Sequence, residues 1–470
     1  MLLKVWALVV LAGSALGPQP VPQPVSPTAL APESNRVITA QAAPAAPAWV
    51  TRVNLSQALT MGLAHDRDVR ISHYDLSSAR QSVTQAWSVY HPQISLDASA
   101  RTFDSARTGI TSGAGATATN SYDVGFTVSQ LLFDLGNGLF SVYRTRELAK
   151  AAGFSALSTE LAAAQRIYTD FYTVLRTAAL EKLQVEVLAQ ATRQRQQATA
   201  LFEAGKGSRL DVTRATVAES NSQVDLQVAS NASRDALAGL RRDLGLAPGA
   251  PLEVTEETVV PAVDLELVKA LDLGDRTPSV LAAEAQTRAQ KHALDSARIQ
   301  RWATFQVTGS YDYYLKSSRN VTSEYVLGAS VSLPLWDGLS GQSSATQAKL
   351  SWLKAGEQLL REREQVRLDI EQAHIANVDA QGRLASAERA SSLAAESLLQ
   401  TEESYRLGTA SMLDVGDSRT EYQRAESNRI TARLDRDLAA LNLTVAVGRL
   451  PLTDAALAAT TAGVAKETGR

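Results

Sequence analysis

The chain has 470 residues, a formal net charge of −3 and no cysteine. The missing thiols exclude disulfides, thiolate metal sites, cysteine nucleophiles and a lipobox-type acyl anchor. The near-balanced charge, without a basic stripe, argues against a nucleic-acid partner.

The first residues, "MLLK" then "VWALVVLAGSALG", join one lysine to an apolar run that ends in small residues. That is the pattern of a signal peptide, expected over 1–17. A buried helix start is the other reading of the run. Residues 18–50 are rich in proline and alanine ("PQPVPQPVSP", "AAPAAPA"). Such a leader cannot bury a core and is expected to be disordered.

From Val53 the chain opens with "VNLSQALTMGLAHDRDVR", and a helix is expected over about 66–90. Period two then takes over. Ile94, Leu96, Ala98 and Ala100 alternate with Ser95, Asp97, Ser99 and Arg101. Tyr122, Val124, Phe126 and Val128 alternate with Asp123, Gly125, Thr127 and Ser129. Strands are expected at about 92–103 and 121–133, near the length of a membrane-spanning β-strand. Asp134 follows as a helix N-cap. Residues 139–203 contain no proline and carry a heptad stripe: Leu161, Ala164, Tyr168, Phe171, Leu175 and Ala178. A coiled-coil-like helix of that length spans on the order of 100 Å. "FEAGKGSRLDV" makes a turn over 203–210, and a returning helix runs over about 208–245. Residues 248–277 link to the second half.

The second half follows the same order. After a helix come "FQVTGSYDYYL" and "YVLGASVSL", strands expected at about 304–315 and 324–335. "SLPLWDG" (Ser332 to Gly338) is the strand-to-helix junction, with Pro334, Trp336 and Asp337; Asp337 is again a helix N-cap. A second long helix covers 342–406. Its stripe is Val366, Ile370, Ala373, Asn377, Ala380, Leu384, Ala387, Ser391, Ala394, Leu398, Thr401 and Tyr405. "YRLGTASMLDV" turns over 406–413, a last helix follows to about 452, and 453–470 is a tail.

Gly205 and Gly408 stand 203 positions apart, as do Leu210 and Leu413, Asp211 and Asp414, and Val212 and Val415. The chain therefore reads as a tandem structural repeat, 51–247 and 278–452. The extra length of the first copy sits in the loop "RTGITSGAGATATNS". Each strand has one apolar face and one small, polar face fit to line a wet lumen. Phe103, Tyr122, Tyr311, Tyr313, Tyr314 and Tyr325 gather toward the loop ends, as an interfacial girdle would. A soluble half-buried sheet shows the same alternation. A membrane reading demands an oligomer, because open sheet edges in lipid are costly; three chains of four strands give twelve.

In this order, these motifs resemble the TolC-type outer-membrane efflux family, from about Val53 to Leu452. The resemblance implies a mainly α protein with a transmembrane β-barrel: a homotrimer with a 12-stranded barrel in outer-membrane lipid and a helical tunnel in the periplasm. It implies a passive exit duct for efflux or type I secretion. A periplasmic adaptor would join it to an inner-membrane RND or ABC transporter. The turns would form the entrance and the adaptor-docking surface, through Gly205, Leu210, Val212, Gly408, Leu413 and Val415. Asp414 and Asp417 match acidic positions that ring the closed mouth; both also suit a helix first turn. Asp211 and Tyr405 match partners in a closing latch. The latch arginine of well-studied members is replaced here by Ala410, with Lys206 and Arg209 the basic residues nearby. A different or weaker lock is expected.

No catalytic chemistry stands beside this. His65, His73, His91, His292 and His374 are scattered without metal-ligand spacing, and "GAGATA" lacks the lysine of a phosphate loop. No cofactor and no metal are expected, and the chain does not read as an enzyme. The competing reading is an elongated, non-pore coiled-coil structural protein of the cell envelope.

Overall fold

The structure is a computed structural model that describes residues 51–103, 119–255, 266–316 and 321–449. The signal segment, the leader, the tail over 453–470 and "GAGATA" lie outside the described residues. The first half runs β1 (Thr51–Val53), α1 (Leu55–His65), α2 (Arg67–Trp87), a 3-10 turn (Ser88–Tyr90), β2 (Gln93–Phe103), β3 (Thr119–Phe133), α3 (Asn137–Glu203) and α4 (Arg209–Asp243). Next come β4 (Leu252–Val254), α5 (Leu267–Gly274), α6 (Pro278–Ile299), β5 (Thr304–Lys316), β6 (Val321–Ser332), α7 (Ser340–Arg406) and α8 (Met412–Ala446). The chain is mainly helical. Among the described residues no helix is long and apolar enough to cross a membrane.

Helix ends follow local chemistry. Asn54 and Gln57 form a reciprocal capping box at α1, and Asp66 accepts from the amides of Asp68 and Val69 at α2. Pro278 opens α6, where its missing N–H costs nothing. The helices α3 and α7 are each 67 residues long and free of proline. They cannot stand alone, so their stripes pack on neighbours: α3 on α2, α4 and α6, and α7 on α6 and α8. Along the α7 stripe Val366, Ile370, Asn377, Ala380, Ser391 and Leu398 are buried, and the rest are half-buried. On α3 the stripe is buried from Leu161 to Phe171, but Ala178 is exposed.

The largest core lies at mid-length of α3. Ile167, Tyr168 and Phe171 pack with Leu59 of α1, Leu240 and Leu244 at the end of α4, and Leu434 and Leu441 of α8. Val53 and Leu252 close it where β1 and β4 pair in parallel. A smaller core joins Ala270 of α5, Val280 of α6, and Val366 and Ile370 of α7.

Charges frame the larger core. Arg166 clamps Asp66 at 2.5 Å and Asp68 at 3.2 Å. Asp170 of α3 meets Asp243 at the C-terminus of α4. Burial, and then a hydrogen bond shared with the Asp243 carboxyl, push Asp170 up to about 6. Arg242 pairs with Asp243 at 2.9 Å and reaches Asp170 only at 3.9 Å.

The four long strands form one antiparallel sheet in the order β2-β3-β5-β6. Leu96 pairs with Phe126, Phe126 with Tyr311, and Tyr311 with Tyr325, so one apolar row crosses the sheet. That face is bare: Ile94 is 71% exposed, Leu327 63% and Tyr325 82%. The edges, β2 and β6, have no strand partner among the described residues. A register shift in β3 lies between Leu131 and Phe133. The last strand stops at Ser332, three residues short of the expected end. Pro334 explains it, since it has no N–H to extend the ladder.

Candidate functional site: two helical turns and the contacts behind them

Each long helix ends in the same device. At the first turn Gly205 has φ +72°, and at the second Gly408 has φ +81°. Left-handed backbone at this position favours glycine. The amide of Gly205 donates to Phe202 O at 2.9 Å and that of Lys206 to Leu201 O at 2.8 Å. The amide of Gly408 donates to Tyr405 O at 3.0 Å and that of Thr409 to Ser404 O at 2.9 Å. Both are Schellman motifs, which satisfy the last carbonyls of the helix.

Each returning helix starts from a serine cap. Ser208 Oγ accepts from the Leu210 amide at 3.0 Å. Ser411 goes further and forms a capping box with Asp414. Ser411 N and Oγ donate to Asp414 Oδ2 at 2.8 and 2.7 Å, and the Asp414 amide donates back at 3.3 Å. The Ser411 hydroxyl and amide hold the Asp414 carboxyl below the usual range. Asp211 occupies the equivalent place but forms no capping box with Ser208, whose side chain accepts from the Leu210 amide alone. Asp417 is exposed.

The two turns touch. Ala198, Ala215 and Met412 form a small core, with Val212 and Tyr405 against it. Burial raises the Tyr405 phenol, and the charge of the Asp211 carboxylate raises it further. Leu210 and Leu413 are 54% and 55% exposed, whereas Val415 is buried. Ala410 is half-buried. Lys206 and Arg209 are exposed and form no ion pair among the described residues.

Behind the turns, three glutamines of α3 meet the second hairpin. Gln190 Nε2 donates to Glu402 of α7 at 2.5 Å. Arg419 of α8 donates to Gln194 Oε1 at 3.0 Å. Gln423 of α8 bonds Gln184 at 3.1 Å. Within the second hairpin Ser391 donates to Glu426 at 2.5 Å, and Arg429 holds the same carboxylate at 2.5 Å. Apart from Ser391, a position of the second stripe, these residues, with Ser208 and Ser411, carry no role in the sequence analysis. The serines had a signal, since both stand three before the repeated aspartates. The glutamines had none, because a polar residue on a heptad helix reads as solvated.

At the other end of the long helices the junction aspartates act alike. Asp134 Oδ1 accepts from the Gly136 amide at 3.0 Å and Oδ2 from the Gly138 amide at 2.6 Å. Asp337 accepts from the Leu339 amide at 3.1 Å and the Gly341 amide at 2.7 Å. Each sits two residues before the formal cap, which is left-handed Gly136 or Leu339. Trp336 and Pro334 lie exposed beside Asp337. Among the described residues no group of histidine, aspartate and glutamate is arranged to hold a metal ion.

The sequence matches the outer membrane efflux protein family over residues 58–246 and 272–449. The chain belongs to this family. It is 24% identical over 337 residues to outer membrane protein TolC of Vibrio cholerae, covering 69% of this chain and 76% of that protein. It is 28% identical over 302 residues to protein CyaE of Bordetella pertussis and spans 61% of that protein's length. Among solved structures, the outer membrane protein VceC of Vibrio cholerae shares the fold, with a TM-score of 0.74 at 16% identity. That likeness covers 85% of this chain and 97% of VceC. This outer membrane efflux protein therefore serves as an efflux channel component of the outer membrane.

Proposed function

We propose that three copies of this outer membrane efflux protein assemble into a passive exit duct. The carrying observation is the four-stranded sheet with two unpaired edges and a bare apolar face. In lipid such edges need partners. The β6 edge of one copy meets the β2 edge of the next, and three copies close a 12-stranded barrel. The helical hairpins continue the lumen into the periplasm. The tandem halves, 51–247 and 278–452, each supply one hairpin, and 248–277, of which residues 256–265 lie outside the described residues, links them in sequence.

The turns form the entrance and the docking surface for a periplasmic adaptor, which joins the duct to an inner-membrane RND or ABC transporter. Gly205 and Gly408 shape the turns, and exposed Leu210 and Leu413 meet the adaptor, backed by Val212 and Val415. Asp414 and Asp417, three copies of each, give the mouth a cation preference. Asp414 also keeps its capping role. Tyr405, packed against the small core of Ala198, Ala215 and Met412 and near Asp211, supplies a contact between hairpins in place of the latch arginine that Ala410 replaces. Asp134 and Asp337, with Pro334 and Trp336, fix the barrel-to-tunnel corners. The duct catalyses nothing.

Purified protein tests this directly. Heat-resistant trimers on gels and discrete conductance steps in planar bilayers are expected. A monomer without bilayer activity would sink the duct and favour a structural envelope protein.

A further inference from the structure

The long helices stand in a set order. α2 and α4 pack on α3, while α6 and α8 lie between α3 and α7. The order therefore ends in α2 and α4 on one side and in α7 on the other. Both ends are apolar on two faces. α7 buries Val366, Ile370 and Ala380, and on its opposite side Leu360, Leu368, Ile375 and Leu393 are exposed. α4 buries Ala215, Ser222 and Leu240, and Val217, Val224 and Val228 are exposed opposite them. On α2, Ile71 and Tyr74 are exposed opposite buried Val69. A helix with two apolar faces packs on two sides. The described residues cover one side of each.

The two free faces differ in charge. Glu357, Glu364 and Glu371 follow at heptad spacing beside the α7 row, all exposed and without an ion pair among the described residues. Arg67 and Arg70 lie beside Ile71 on α2, equally exposed and unpaired among the described residues. The faces also stand level. Arg166 of α3 holds Asp68 at the start of α2, and the adjoining Gln165 bonds Asn442 of α8 at 3.2 Å. Asn442 shares one cleft with Asp369 and Gln372 of α7. Nearer the turns, Thr192 of α3 bonds Glu219 of α4 at 2.9 Å, Gln194 takes Arg419, and Ser418 meets Thr401 of α7 at 3.1 Å. Arg67 and Arg70 are thus level with Glu364 and Glu371, and Val224 with Leu393, to about one helical turn.

We propose that α7 of one copy seats its free face on α2 and α4 of the next, with Glu364 and Glu371 against Arg67 and Arg70. Apolar rows flanked by opposite charges are how helices choose partner and register. The contact runs head to tail, so it repeats around a ring. It continues the seam between sheet edges, because α2 leads into β2 and β6 leads into α7. This rests on the three-copy duct.

The chain has no cysteine, so introduced cysteines are its only thiols. Full-length protein carrying Val224→Cys with Leu393→Cys, treated in membranes with a short bismaleimide, is expected to give covalent dimers and trimers on denaturing gels. Either change alone should give none. Cross-linking by Leu393→Cys alone means that like faces meet. Assembled trimers of the double variant without cross-links mean that other faces meet. Either result overturns the seam and leaves the duct standing, whereas unmodified chains that never assemble overturn the duct itself. Arg67→Glu with Arg70→Glu is expected to lower trimer recovery about tenfold, and adding Glu364→Arg with Glu371→Arg to restore it. Recovery that the first pair leaves unchanged, or that the second pair fails to raise, overturns the charge match. Should the cysteine pair block assembly, the charge exchange decides alone.

Discussion

Gly408→Ala isolates one term of the second turn. A Cβ built on Gly408 meets nothing within 4 Å, so the change adds no collision. What remains is the left-handed backbone, φ +81°. For an L-residue that conformation costs about 1–2 kcal/mol. Alanine also stiffens the open form, which offsets about 0.5 kcal/mol. A net loss of about 1 kcal/mol corresponds to about fivefold faster local opening. Hydrogen exchange of the peptide covering residues 404–411 reads this, because the amides of residues 408 and 409 close the motif. Gly408→Asn is the control, since asparagine tolerates left-handed backbone; most of the protection should return. Unchanged exchange in Gly408→Ala, or equal loss in both variants, would refute the reasoning.

Other outcomes follow from single contacts. Asp134→Ala strips the acceptors from two amides, one of them in buried Gly138. It should cost about 2 kcal/mol in thermal unfolding followed by circular dichroism. Asp337→Ala, at an exposed site, should cost about 1 kcal/mol in the same assay. Tyr168→Phe removes a buried hydroxyl that has no hydrogen-bond partner among the described residues. The melting temperature should rise, with a gain of about 1 kcal/mol. Asp170 titrates at about 6, above the usual carboxylate range, so the folded state holds its proton more tightly. The stability this contributes is full below about pH 4 and is lost as pH rises through about 6. Partial exposure limits it to about 1 kcal/mol. Asp170→Asn should flatten the stability profile between pH 4 and 7; an unchanged slope would assign the titration to other groups.

Much of the architecture was legible because its signals are local. Alternation marks strands whatever they pack against, and a proline-free heptad stripe marks a long helix. The glycine of each turn announced a left-handed stop, which the backbone at Gly205 and Gly408 adopts. The stripe misread Ala178, which is exposed although its register placed it inward. An alanine carries too little apolar area to reveal which way it faces. Contacts between hairpins were illegible for a stronger reason. Gln184, Gln190 and Gln194 lie more than two hundred residues from their partners. No spacing rule links them, and nothing local distinguishes Arg419 from a solvated surface arginine. Val415 was readable as apolar, but only packing shows that Leu413 faces outward and Val415 inward.

In the proposed trimeric duct, the edges of β2 and β6, which have no strand partner among the described residues, would make stability a matter of mass action. A chain whose backbone groups lack partners in hydrocarbon is penalised by several kcal/mol for each group. On the proposed trimer, its folded form in the bilayer would then depend on how often it meets other copies. Scarce chains should linger before insertion, exposed to proteolysis, while abundant chains should insert promptly. Expression level would thus enter the lifetime of each chain through collision rate, independently of any change in its sequence.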